Sequence, residues 1–223
     1  MAESMPDSRS GDPGSKASTS ADNPGRSTRT TLQKILIVTG TPGTGKTVLA
    51  KLIAEKEKAE LVNLGELIKK KKLYRGYDRT RRSYIIDEKR LRKSLLTLFN
   101  SYRGKDLVIE THWLGKFMPK RSSMNAVVIR ADPVVLAWRL RRRGWAKRKI
   151  WENVEAELID LSFYESLKFL GRRRVYQVDA TRKRPGELLR SVWKLISRGR
   201  GWDGSSPNWL ERYDPIELSR KIL

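Results

Sequence analysis

The stretch KILIVTGTPGTGKTVLAKLI, residues 34–53, decides the fold. Its first part, KILIVT, is a short apolar run of the kind that parallel sheets bury on both faces. Its last part offers Val48, Leu49, Leu52 and Ile53 as one face of a helix. Between the two, Gly40-Thr41-Pro42-Gly43-Thr44-Gly45-Lys46-Thr47 satisfies G-x-x-x-x-G-K-[ST] in full. Strand, glycine loop and helix in that order make a phosphate cradle. The glycines let backbone amides close around phosphate oxygens, and the helix aims its positive N-terminus at them. The loop, Thr44 and Gly45 included, therefore predicts a bound nucleoside triphosphate, with Lys46 on its β- and γ-phosphates and Thr47 on Mg²⁺.

Working outward, further apolar runs recur at ELV (60–62), DLVIE (106–110), AVVIR (126–130) and RVYQV (174–178). Helical periods separate them. Leu91, Leu95, Leu98, Phe99 and Tyr102 follow the N-cap candidate Asp87, and Asp132-Pro133 opens another helix. Ile150, Val154, Leu158 and Leu161 predict one long helix running to Gly171, and Leu188, Val192, Leu195 and Ile196 predict a last one. The expected fold is α/β, a P-loop NTPase with a five-stranded parallel sheet and helices on both faces. Residues 1–30, rich in Ser, Gly, Pro and Asp, are expected to be a disordered extension. Residues 31–198 are the nucleotide-binding domain, and residues 199–223 a tail whose Trp202 and Trp209 are expected to dock on something.

Formal net charge is +23. Residues 1–30 carry four acids and four bases, so all of it belongs to residues 31–223. A domain that basic attracts polyanions such as nucleotides, RNA or a ribonucleoprotein surface. The chain has no cysteine, which excludes disulfides, thiolate metal sites and cysteine nucleophiles. No 18-residue apolar run is present, so no membrane partner is expected, and the location expected is cytoplasmic.

Two segments concentrate the charge. Residues 69–82 hold eight bases, with Tyr74 and Tyr77 interleaved. The four lysines alone would make a solvated helix end. Tyr77, Arg79 and Arg82 are what a second phosphate and a stacked base require. Residues 138–151, WRLRRRGWAKRKIW, hold seven bases and no acid. Arg141–Arg143 would complement a helix dipole in any case, but the run continues past Gly144, as an arginine-bearing flap over a transferring phosphate would.

These residues resemble the adenylate kinase isoenzyme 6 family, the coilin-interacting nuclear ATPase type. The resemblance covers about residues 35–197 and rests on G-T-P-G-T-G-K-T, N-L-G-E-L, L-Y-R-G-Y-D followed by D-E, E-T-H after the strand at 106–110, and R-G-W-A-K-R-K-I-W-E-N. It implies an adenylate-kinase-like fold with a monophosphate-binding arm near 63–86 and a short lid near 142–153. It implies ATP:AMP phosphotransfer with Mg²⁺, slow ATP hydrolysis, and a role in small ribosomal subunit maturation through a small-subunit ribosomal protein. By position, Gly43, Gly45, Lys46, Thr47, Val48 and Arg143 correspond to nucleotide contacts. The E-T-H motif stands for the family's acid-x-histidine, with Glu110 where the pattern has aspartate.

Transfer to AMP suits the residues, because an ionised phosphate acceptor needs no general base. Two other readings stand beside it. One is a P-loop kinase acting on a hydroxyl, which would want a carboxylate base. The other is an RNA-binding or ribonucleoprotein assembly factor that uses ATP as a switch. His112 is the only histidine. It follows Glu110 by two residues at a strand end that should lie on the carboxyl edge of the sheet, where α/β folds bind ligands. Glu110 is expected to organise Mg²⁺ through water and His112 to position a hydrolytic water or a phosphate.

Overall fold

The computed structural model describes residues 34–80, 83–115, 117–199 and 207–223. The expectations for residues 1–30, and for Arg82 and Trp202, lie outside the described residues. The expected five strands all form: β1 (Ile35–Thr39), β2 (Glu60–Asn63), β5 (Leu107–Glu110), β6 (Met124–Arg130) and β7 (Val175–Asp179). They pair in parallel in the order β2-β5-β1-β6-β7. The register sets Glu110 level with both Asn63 and Val38, so the acid at the end of β5 faces its neighbours' ends.

Apolar residues on each side of the sheet recruit different helices. On one face α2 (Leu64–Lys70), α3 (Glu88–Ser101) and α6 (Leu161–Leu170) bury Leu64, Leu91, Leu95, Phe99 and Phe163. On the other, α1 (Lys46–Glu57) and α7 (Pro185–Ser197) bury Leu49, Ile53, Leu188 and Val192. The caps form as the sequence predicts: Asp87 accepts from the Arg90 amide at 3.1 Å, and Asp132 from the Val134 amide at 2.9 Å.

Three features depart from expectation, and a fourth fulfils one. First, residues within the arm form a hairpin of β3 (Tyr74–Asp78) and β4 (Ser83–Ile86) outside the main sheet. A register shift between Tyr74 and Gly76 cancels the usual alternation. Tyr74 and Tyr77 therefore both meet Tyr84, at 4.3 and 5.2 Å between ring centroids. Second, the long helix is two: α5 (Lys147–Leu158) and α6 meet at Asp160, whose φ of 57° is left-handed. Leu161 is exposed rather than part of the stripe. Third, Val48 points outward at 49% exposure; Leu49, Ala50, Ile53 and Ala54 are the buried apolar positions of α1. At about 100° per residue, Val48 falls on the edge of that stripe.

Fourth, the tail docks on the chain's own helices. Trp209, in α8 (Trp209–Arg212), joins Leu218 and Ile222 of α9 (Pro215–Ile222) against α4 (Pro133–Arg142) and α5. Tyr213 donates its hydroxyl to Asp132 at 2.5 Å, and Lys147 donates to the Leu223 carbonyl at 2.6 Å. Trp209 is 3% exposed. Trp209→Ala is expected to lower unfolding free energy by about 3 kcal/mol, read by denaturant titration. An unchanged midpoint would contradict docking of the tail.

Candidate active site

The loop between β1 and α1 owes its shape to glycine. Gly40 has φ of 138°, and a Cβ there would lie 2.3 Å from the Ile129 carbonyl oxygen of β6. Gly43 has φ of 97°, and its Cβ would lie 2.8 Å from Leu136 of α4. The cradle thus sits pressed between β6 and α4. Gly45 is the left-handed N-cap of α1, which has no side-chain cap, so the first amides of the helix face the phosphate position.

Lys46 opens α1 and is buried. Its ammonium donates to the Thr41 carbonyl at 3.1 Å, and Thr44 Oγ1 donates to the same oxygen at 2.9 Å. Burial pulls the Lys46 pKa from 10.5 down to about 8; Glu110 and Glu157 oppose that, and Arg143 adds to it. Thr47 Oγ1 donates to Glu110 Oε1 at 2.7 Å, and Asn63 Nδ2 donates to Glu110 Oε2 at 2.6 Å. Asn63 Oδ1 in turn caps α2 through the Glu66 amide at 3.0 Å. One buried carboxylate therefore ties the glycine loop and α1 to the end of β2 and the start of α2.

His112 lies just past β5 and is exposed by area, with its ring 4.9 Å from that of Trp113. Local desolvation lowers its pKa from 6.5 to about 4, helped by the positive charges of Lys46 and then Lys149. The imidazole is thus neutral at physiological pH and shares the field of Lys46 with Glu110.

The segment expected to form a lid, residues 142–153, spans the end of α4, the turn Arg143–Ala146 and the first half of α5. Arg143 is exposed. Besides burial, its charge lowers the pKa of Arg139 as well as that of Lys46. Thr80, at the tip of the hairpin, lines a cavity of about 390 Å³ with Trp145, Arg148 and Lys149, so the hairpin faces the start of α5. Tyr77, half exposed, and Arg79, exposed, stand on that hairpin. A larger cavity of about 650 Å³ opens between α3 and α6, lined by Arg92, Leu114, Glu165 and Phe169. Burial raises the Glu165 pKa there.

Three residues at the site are missed by reading the sequence alone. Asn63 carries a signal in the N-x-x-E spacing to Glu66, a capping pattern. Glu157 carries one too, as an acid on the apolar stripe of Val154 and Leu158. Arg139 reads as a helix-end base, yet its Nη2 donates to the Thr181 carbonyl at 2.9 Å and its Nη1 to the Gly43 carbonyl at 3.5 Å. It joins the loop to the segment after β7.

Residues 36–160 match the family described as AAA domain. Proteins named "Putative adenylate kinase" align over most of their length. That of Thermococcus kodakarensis is 36% identical over 183 residues, 82% of this chain and 96% of that protein. That of Pyrococcus abyssi is 37% identical over 184 residues, 82% and 94% respectively. The chain belongs to this family. Among solved structures, a gluconokinase from Sinorhizobium meliloti superposes with a TM-score of 0.50 at 17% identity, over 76% of this chain and 94% of that one. That likeness establishes the shared P-loop kinase fold. No helix among the described residues is long and apolar enough to cross a membrane.

The single histidine makes the field of this family member's site measurable. Its NMR titration midpoint is expected well below 6.5, toward about 4. Because the folded pKa is the depressed one, this group costs no stability above pH 6.5 and destabilises progressively as pH falls toward 4. A midpoint at the ordinary value would contradict the desolvation of the ring together with the closeness of Lys46 and Lys149.

Proposed function

We propose that the chain is an ATP:AMP phosphotransferase with ATPase activity. The observation that carries this reading is the buried Glu110 carboxylate, bonded to Thr47 of the triphosphate loop and to Asn63 at the root of the basic arm. It stands at the junction of a donor site and an acceptor site.

The Thr47 hydroxyl and Glu110 carboxylate form a hard oxygen set that fits Mg²⁺, an ion that takes one or two carboxylates and substrate phosphates. When bound, the ion neutralises charge developing on the phosphates. The chain's own residues do the rest. Loop amides and Lys46 hold the β- and γ-phosphates, with Val48 exposed beside them. Arg143 covers the transferring group from the lid, and Tyr77, Arg79 and Arg82 hold the monophosphate. The AMP phosphate enters already ionised, so alignment and charge neutralisation suffice. Neutral His112 positions a water for the slower hydrolysis or a neighbouring phosphate. On this reading residues 31–198 are the kinase domain, with arm and lid near 63–86 and 142–153, and residues 199–223 are a tail whose helices α8 and α9 brace α4 and α5.

A second reading concerns partners. The charge of +23 supports binding to RNA in a ribosomal precursor. The family resemblance adds a small-subunit ribosomal protein and subunit maturation, and the place of action proposed is the cytoplasm. The ATP-switch reading differs from the kinase reading in requiring no AMP-dependent ADP.

With ATP·Mg²⁺ and AMP together, two molecules of ADP should form for each ATP consumed. Lys46→Ala should reduce ADP formation far below a tenth, a loss beyond about 1.4 kcal/mol of transition-state stabilisation. Arg143→Ala should slow transfer by roughly 10³-fold. Full transfer in either variant, checked as folded by circular dichroism, would overturn the assigned role.

His112→Ala should cut AMP-independent phosphate release by roughly 10²-fold and phosphotransfer less. Unchanged phosphate release would return His112 to a packing role against Trp113.

A further inference from the structure

Glu157 belongs to the helix that descends from the lid, yet its carboxylate lies beneath the phosphate loop. It is 1% exposed. Its Oε1 accepts from Arg130 Nε at 2.7 Å and from the Ala131 amide at 3.0 Å, and its Oε2 accepts from Thr41 Oγ1 at 2.5 Å. Thr41 is a pivot. Its hydroxyl is held by Glu157, while its carbonyl accepts from Lys46 and Thr44. Helix α5 starts in the lid at Lys147, and at 1.5 Å per residue Glu157 sits about 15 Å farther along. Lid and phosphate loop are thus two ends of one rigid element.

We propose that Glu157 is a positioning residue that anchors the phosphate loop through Thr41 to the helix that starts in the lid. The inference rests on the reading of the loop as the ATP site and is independent of which acceptor is used. The Glu157 carboxylate is met by Arg130, the Ala131 amide and Thr41, and of these the Thr41 contact is the one that reaches the loop. The Thr41 carbonyl is the oxygen to which Lys46 and Thr44 donate, so the link fixes the backbone against which the Lys46 ammonium rests.

The test compares wild type, Glu157→Gln, Thr41→Val and Thr41→Ser, all shown to be folded. ATP affinity is measured by calorimetry, and kcat and KM for ATP by ADP formation. In Thr41→Val ATP affinity should fall roughly tenfold with a matching rise in KM, as loss of one hydrogen bond to a charged group allows, while Thr41→Ser, which keeps the hydroxyl, should bind as wild type does. Glu157→Gln should weaken ATP binding by roughly the same factor. Unchanged ATP affinity in Thr41→Val or in folded Glu157→Gln would overturn the anchor, and so would an equal loss in Thr41→Ser. Thr41→Val removes a hydroxyl without stranding a charge, so it tests the anchor even if Glu157→Gln fails to fold. Wild type that binds ATP but makes no ADP from AMP would refute the acceptor reading alone, and calorimetry would then decide the Glu157 question.

Discussion

Arg130 and Glu157 leave water together, each with a side chain 1% exposed. Moving two charges into the interior is costly unless their remaining polar atoms find partners, and removing one member of such a pair costs about 3–5 kcal/mol. Here the carboxylate is filled by a guanidinium, a backbone amide and the Thr41 hydroxyl. Arg130 also bonds Asp160 and the Glu157 carbonyl, the latter at 2.9 Å, while its Nη1 is left without a partner. The pair fixes the end of β6, the end of α5, the left-handed turn at Asp160 and the start of the phosphate loop relative to one another. The site inherits its geometry from that joint.

A second carboxylate organises the other side of the loop. Glu110 is reached by Thr47 from α1 and by Asn63 from the end of β2, and parallel register brings the two strand ends level. Glu110 and Glu157 both oppose the desolvation of the Lys46 ammonium. The lysine stays charged near neutral pH and remains free to exchange the Thr41 carbonyl for a phosphate oxygen.

Much of this architecture is legible in the amino-acid sequence. Strands buried on both faces leave continuous apolar runs, and the glycine loop has few other physical uses, so sheet, loop, Lys46 and Thr47 follow directly from residues 34–53. What stays hidden depends on contacts distant along the chain. The helix break at Asp160 is set by Arg130, 30 residues earlier, while the apolar period runs through it unbroken. The β3–β4 hairpin hides because its shifted register spoils alternation and its strands are rich in charge. The purpose of Trp209 lies in α4 and α5, which precede it by several intervening elements. Glu157 looks like an ordinary helix acid until β6 is folded beside it. Charge density marks the arm and lid but not which of their bases face phosphate, because cations on solvated helix ends look the same.

The central claim is that one cleft holds a triphosphate and a monophosphate end to end, between a loop anchored by Glu110 and Glu157 and an arm facing a lid. Calorimetric titration with diadenosine pentaphosphate, which joins two adenosines through a chain long enough to span both sites, tests it most directly. The account predicts one molecule bound per chain, with ATP and AMP both excluded from the complex. Binding that excludes ATP but leaves AMP binding intact, or no binding at all, would contradict it.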